Sequence, residues 1–291
     1  MGYLHGSPVA ISRYFNCDDD AKSKKSFVVA SRLNTTLTSH DRAFDSVVLH
    51  LPTPAMARDE SLFVNKYRGV EDIRMHQLQS GAVLLTGNMG RTANKNTHVR
   101  TIYSAELDGH WDNLIVLNEK VLLPSWTNNT QTEKNWTPFE SGGKLMYIYS
   151  VNPHIIIGEK STNTLSAPFR EMEKLYETQF VPVLNSKLYG GSNAVQVGNV
   201  MMTCAHTKSR GKDYKTVLYT FSRTPPFQVL AVLPALLDFN HAKIQYCMGL
   251  IYNAVTNTIV LSLGSNDRDS VVVEVSVDYV NSLLQPVSRI S

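Results

Sequence analysis

Apolar and polar positions recur along the chain in one order, five times. A polar cluster leads into an apolar stretch, which breaks at a Gly, Asn or Ser turn. A second apolar stretch follows and ends on polar residues. Copy two runs from Glu71-Asp72-Ile73-Arg74 through Leu78-Gln79-Ser80-Gly81 to Ala82–Leu85, ending at Asn88. Copy three runs from Lys134-Asn135-Trp136 through Ser141-Gly142-Gly143 to Leu145–Tyr149 and Ser150. Copy four opens on Gly190-Gly191-Ser192-Asn193, turns at Val197-Gly198-Asn199 and runs from Val200 to Thr203, ending at His206. Copy five opens on Met248-Gly249, turns at Val255-Thr256-Asn257 and runs from Ile259 to Leu263, ending at Ser265-Asn266-Asp267. Copy one, Phe27 to Asn34, shows only its last strand clearly.

The copies start near residues 27, 72, 134, 190 and 248, a period of roughly 45 to 60 residues that suits one small antiparallel sheet per copy. Further β-branched or aromatic runs at Val47–Leu51, Val99–Tyr103, Ile115–Leu117, Ile155–Ile157, Val217–Phe221 and Val271–Val277 predict more strands. Radial stacking of such sheets protects their edges. The expected fold is therefore all-β, a five-bladed β-propeller with a central funnel, built as one domain over residues 1–291. Closure of the ring is expected from pairing of Pro8–Phe15 with the C-terminal strands Ile259–Leu263 and Val271–Val277. Ala167–Gln179, with Pro168 near its start and Glu and Lys after it, predicts a short helix between blades. Asp278–Leu284 predicts one terminal helical turn.

Composition narrows the function classes. The chain is 43% hydrophobic and 18% charged, enough to bury a core. Its net charge of +3 is spread along the sequence, without the basic stripe of a nucleic-acid binder. The three cysteines, Cys17, Cys204 and Cys247, are odd in number and widely spaced, which excludes a disulfide framework and a zinc site; Cys204 and Cys247 fall in apolar strands and read as buried thiols. No window holds eighteen consecutive apolar residues, and the N-terminus lacks a basic segment followed by an apolar one. The expectation is a soluble, cytoplasmic protein without a membrane span, metal or organic cofactor.

Several polar strand ends carry candidate chemistry. Glu71, Asp72 and Arg74 precede a strand, and simple alternation puts Asp72 and Arg74 on one face and Glu71 on the other. A carboxylate beside a guanidinium suits acid–base work next to an anion, or else a structural ion pair. Lys134 and Asn135, beside Trp136, suit a sugar or a phosphate; the indole equally suits packing between blades. His154 and His206 each follow an apolar strand, and Tyr214 comes next in the same copy as His206. Together with Arg74 and Lys134 they predict an anion site, although each histidine alone would read as a structural residue. Gly190-Gly191 predicts a tight backbone approach beside Ser192 and Asn193. Asp267 suits sugar hydroxyls or a hairpin turn. Arg32 and Asn34, at the polar end of copy one, complete the candidate substrate- or anion-binding set.

In this order, Glu-Asp-x-Arg, Lys-Asn-Trp-x-Pro-Phe, Tyr-Ser-x-x-Pro-His, Gly-Gly-Ser-Asn, a strand-end His and Ser-x-x-Asp resemble the five-bladed β-propeller β-mannoside phosphorylases and related mannosyltransferases, over Phe27 to Val277. The resemblance implies an inverting glycosyl transfer with Asp72 as the general acid, relayed through a sugar hydroxyl. It implies phosphate binding by Arg74, Lys134 and His206, and a sugar contact at Asp267. The implied partners are a sugar phosphate or nucleotide sugar and an oligosaccharide acceptor. Two departures stand out: Ile73 replaces the family's Pro after the Asp, and Tyr149-Ser150-Val151-Asn152-Pro153-His154 replaces its His-Arg-Pro element. The lost arginine weakens the implied phosphate site and brings in transfer from another donor, or hydrolysis. A non-catalytic carbohydrate-binding or interaction propeller is the competing class; there Asp72 would be an ion-pair residue.

Overall fold

The computed structural model describes residues 2–4, 7–15, 26–32, 46–49, 70–94, 97–110, 113–127, 131–165, 168–209, 213–234, 243–266 and 268–290. The architecture is the all-β, five-bladed β-propeller expected from the repeats, its strands arriving in five successive sets. The chain divides into two compact units, Met1–Lys134 with Glu159–Glu173, and Asn135–Gly158 with Lys174–Ser291.

In the first unit, β1 (Gly2–Leu4), β2 (Ser7–Phe15), β3 (Ser26–Arg32) and β4 (Ser46–Leu49) form an antiparallel sheet in chain order. The first set thus begins well before Phe27, which lies in β3. Among the described residues, Ser7–Val9 of β2 pair with β1 and Val9–Phe15 pair with β3, and these are the ladders described for the strand expected beside the C-terminal ones. Next come β5 (Val70–Gln77), β6 (Val83–Asn94), β7 (Thr97–Asp108) and β8 (Ile115–Pro124), an antiparallel meander. The hairpin between β5 and β6 closes at Gly81, whose N–H bonds to Leu78 O at 2.9 Å. One face of this meander is apolar: Met75, Val83, Leu85 and Leu107 pack with Val9, Ala30 and Leu49 from the first sheet. Tyr103, Ala105, Val121 and Leu123 continue the apolar packing with Val70 and Met89.

The second unit opens with β9 (Thr137–Ser141), β10 (Lys144–Ser150) and most of β11 (His154–Glu159), antiparallel in chain order. The segment expected to be helical is instead β12 (Phe169–Thr178). Its first residues pair in parallel with β8 inside the first unit, Phe169 opposite Val121 and Met172 opposite Pro124. A strand partner and burial of Met172 override the helical preference of its Glu and Lys residues. The fourth set is β13 (Leu188–Gly190), β14 (Val195–Val197), β15 (Val200–Lys208), β16 (Tyr214–Ser222) and β17 (Val229–Val232). The fifth is β18 (Gln245–Asn253), β19 (Thr258–Ser265) and β20 (Asp269–Ser276). The terminal turn is α1 (Val277–Leu283), capped by Ser276, and β21 (Gln285–Pro286) returns to pair with β17. Phe139, Phe221 and Phe227, with ring centroids 5.4 Å apart in each edge-on contact of Phe139, centre one core of this unit. Cys204, Cys247, Leu250 and Leu261 lie in the other. Both thiols are buried as expected, and burial pushes that of Cys204 up.

Burial shifts two of the buried histidines. His154 is fully buried in the second unit and His76 nearly so in the first, and burial lowers each to about 4. An unfolded histidine, near 6.5, binds more protons than the folded one between those values. Stability is therefore complete above pH 6.5 and falls as the pH drops toward 4, by on the order of 3 kcal/mol per histidine. Urea midpoints at pH 7, 6, 5 and 4.5 should decline, and His154→Asn should flatten part of that slope. A midpoint constant from pH 7 to 4.5 would show these imidazoles to be protonated in the fold.

Candidate functional site

The first unit holds a carboxylate in an unusual backbone state. In the β5–β6 ladder Glu71 pairs with Asn88, and the next pair is Arg74 with Thr86. Asp72 and Ile73 therefore both face Gly87, a β-bulge. Asp72 has φ 52°, in the left-handed region where Asp is one of the few tolerated residues besides glycine. The bulge needs Gly87: a Cβ there would lie 2.5 Å from Val70 Cγ1 and 2.8 Å from Glu71 O. It also breaks the simple alternation. Thr86 and Asn88 lie two residues apart on one strand, so their partners Arg74 and Glu71 share a face, where alternation had separated them.

Hydrogen bonds then fix the side chains. Asn88, fully buried, donates from Nδ2 to Asp72 Oδ2 at 2.9 Å. Arg74, 1% exposed, donates from Nη1 to Asp72 O at 3.0 Å. Asp72 itself is half-buried, and its Oδ1 makes no hydrogen bond to any described residue. Glu71 pairs with Arg100 at 2.9 Å, with the Arg100 side chain 29% exposed. Glu133 N–H donates to Arg100 O at 2.9 Å, which carries the next residue, exposed Lys134, alongside β7. Glu71, Asp72 and Arg74 are thus brought together. Arg74 is a buried support under the carboxylate, and Arg100 is the more accessible cation. Arg100 and Asn88 were not among the expected site residues, although Asn88 stood at the polar end of copy two, the position that His206 holds in copy four.

The second unit gathers another group. Asn135, at φ 63°, accepts at Oδ1 from Tyr246 Oη at 2.9 Å, and the same hydroxyl lies 3.3 Å from Gly190 O. His206 Nδ1 is 3.1 Å from Gly190 O; a carbonyl only accepts, so Nδ1 carries the hydrogen. Tyr189 stacks on the His206 ring at 5.4 Å, Tyr214 lies at 5.7 Å, and Tyr246 meets it edge-on at 4.6 Å. Asn135, His206 and Tyr214 therefore meet, with Tyr189 and Tyr246 as the members the sequence reading missed. The tight approach at Gly190 is real: a Cβ there would lie 2.1 Å from Asn135 O. Trp136 is buried against Tyr147 and Tyr149, the packing role.

His154, Ser192 and Asn193, three of the expected binding residues, are buried in the second unit. His154 Nδ1–H donates to Phe227 O at 2.8 Å, and its ring packs against Tyr219 and Phe221. Ser192 Oγ accepts from Cys204 N–H at 3.0 Å and lies 2.8 Å from Asn193 O. Asn193 clamps two sheets, donating to Leu250 O at 2.9 Å and accepting from Leu250 N–H at 3.0 Å. Burial turns these polar groups inward because the backbone supplies their partners. Arg32 ends β3; Asn34 and Asp267 lie outside the described residues. Among the described residues no cluster of His, Cys, Asp and Glu could hold a metal, and no helix is long and apolar enough to cross a membrane.

No protein-family model matches this sequence, and no curated protein matches it. Solved structures do match in fold. β-1,2-Mannobiose phosphorylase from Listeria innocua is 10% identical and superposes with a TM-score of 0.57, covering 94% of this chain and 83% of its own. Levansucrase from Bacillus subtilis is 8% identical with a TM-score of 0.56, covering 94% and 80%. A levansucrase complexed with sucrose is 9% identical with the same TM-score, covering 99% and 82%. At such identities the likeness is one of fold.

Asn193→Ala should leave both Leu250 backbone groups buried without partners. A loss of about 2 to 4 kcal/mol in urea unfolding is expected; an unchanged midpoint would remove Asn193 from its structural role. The chain therefore shares its fold with a mannobiose phosphorylase and with levansucrases, and its first unit holds Asp72 half-buried, bonded at one carboxylate oxygen to Asn88.

Proposed function

We propose that this chain is a carbohydrate-active enzyme that transfers a glycosyl group, mannosyl-like, between a phosphate-activated sugar and a carbohydrate acceptor, with inversion and with Asp72 as general acid and base. The observation that carries the reading is Asp72 itself. A bulge holds it in the left-handed region, Asn88 occupies one carboxylate oxygen, and the other is uncommitted. Backbone held in a sparsely populated region is a common mark of a working residue. The shared fold with a mannobiose phosphorylase and with levansucrases supports the sugar class.

In the direction of phosphorolysis, the bond from the anomeric carbon to the acceptor oxygen breaks. That oxygen takes up a proton that originates on Asp72 and passes through a sugar hydroxyl. A phosphate oxygen bonds to the anomeric carbon from the opposite face and yields the sugar 1-phosphate, whose proton restores Asp72. In this reading Arg100 and exposed Lys134 attract the phosphate, while buried Arg74 steadies the peptide carbonyl of Asp72.

A binding propeller without catalysis is favoured by one feature, the Glu71–Arg100 ion pair beside Asp72. Asp72→Asn separates the two. Assayed against sugar phosphates, nucleotide sugars and free phosphate with manno-oligosaccharides, the variant should lose 10² to 10⁴, as orders of magnitude, in rate. Its thermal melt should stay close to that of the parent protein. Full transfer by this variant would remove Asp72 from the chemistry; binding of sugar without turnover by the parent protein would establish the second reading.

A further inference from the structure

Two cysteines far apart in the chain meet inside the second unit. Cys204 lies in β15 and Cys247 in β18, so they belong to the fourth and fifth sets of strands. Both are fully buried and share one core with Leu218, Leu250 and Leu261. Their backbones converge on Gly191. The position that a Cβ would take there lies 2.8 Å from Cys204 O and 3.2 Å from Cys247 O. A side chain at that point would hold the two strands apart, and glycine lets them close. The thiols are hydrogen-bonded to each other. Cys247 Sγ also donates to Gly249 O at 3.5 Å, which uses its own hydrogen, so the hydrogen between the two sulfurs comes from Cys204.

Polar ties already hold the same strands together. Cys204 N–H donates to Ser192 Oγ at 3.0 Å, and the next residue, Asn193, clamps Leu250 of β18. A disulfide forms without distortion only where the fold has brought both backbones and both sulfurs close, and the pair stands where the fold has done so. In the closed protein the two thiols are protected. Burial pushes the Cys204 thiol up, and a protonated thiol is a poor nucleophile. Oxidation therefore awaits a local opening that admits a small oxidant.

We propose that Cys204 and Cys247 form a redox site, closed by a peroxide into a disulfide that locks β15 to β18. One thiol loses its proton and attacks a peroxide oxygen. The O–O bond breaks, a sulfenic acid forms, and the departing hydroxide takes up the proton as water. The second thiol then displaces the sulfenic oxygen, which leaves with that thiol's proton as a second water. Two thiols are oxidised to one disulfide, and one hydrogen peroxide is reduced to two waters. The bond makes covalent a tie that Asn193 makes by hydrogen bonds, and it closes the long loop between the two strands.

The test has two arms, and neither depends on Asp72 or on turnover. In the first, reduced protein freed of reductant is treated with hydrogen peroxide, then unfolded, alkylated and digested without reduction. Mass spectrometry should find the Cys204 peptide joined to the Cys247 peptide, two hydrogens lighter than the separate pair. The unfolded chain, treated likewise, should also link Cys17 to either partner. If Cys204 and Cys247 are alkylated singly in the folded protein, even at the foot of its urea transition, the proposal is overturned. A folded protein that yields the same mixture as the unfolded chain overturns it too. The second arm reads the lock. Oxidised protein should melt several degrees above reduced protein, and dithiothreitol should reverse the gain. In Asn193→Ala, which lacks the hydrogen-bonded tie, oxidation should raise the melt by more than in the parent protein. Cys247→Ala, which keeps the core apolar, should show no shift on oxidation. A parent melt unchanged or lowered by oxidation removes the lock, and so does an equal gain in Cys247→Ala.

Discussion

A missing side chain at Gly87 governs the geometry of the first unit. Two residues of β5 must fit opposite one of β6, and any Cβ at that one position would collide with Val70 and with the carbonyl of Glu71. The bulge turns Asp72 into the left-handed region and brings Arg74 onto the same face as Glu71, Thr86 and Asn88. A regular ladder would have sent these charges to opposite faces of the sheet. The bulge sets the backbone from which the Asp72 carboxylate reaches Asn88.

The charges around it divide by burial. Arg74 lies beneath Asp72, bonded to its carbonyl, where removing it would leave buried acceptors behind; the cost of a buried charge makes such a residue a fixed support. Arg100 is only partly buried and pairs with Glu71 at 2.9 Å. A sequence pattern ranks both as arginines near a carboxylate. The depth of each distinguishes them.

Much of the fold was legible in the sequence because strand periodicity and turn chemistry are local. Starts near 72, 134, 190 and 248 fall within a few residues of β5, β9, β13 and β18. The errors came where a distant partner decides. Phe169–Thr178 carries the Glu and Lys residues of a surface helix, but β8 offers it an edge, and the first residues pair with Val121–Pro124. The site was legible in part for the same reason. Glu71, Asp72 and Arg74 are neighbours in sequence and remain so in space. Asn88 and Arg100 reach them only across the ladder, and no local signal predicts which of many strand-end polar residues will be opposite a bulge. The partners of Ser192 and Asn193 are backbone groups of Cys204 and Leu250, which a sequence pattern does not display.

Polar strand ends recur in every copy, yet they do not share one role, and hydrogen-bond capacity separates them. In the second unit Asn193 uses its amide on both groups of Leu250, and Ser192 is bonded to backbone on either side. His206 gives its Nδ1 hydrogen to Gly190 and is lined by three tyrosines. Such residues are bonded to their own chain. Asp72 differs: it is half-buried, fixed at one oxygen and uncommitted at the other. A repeat pattern identifies where polar groups collect, whereas the count of bonds each has already made identifies which can still react.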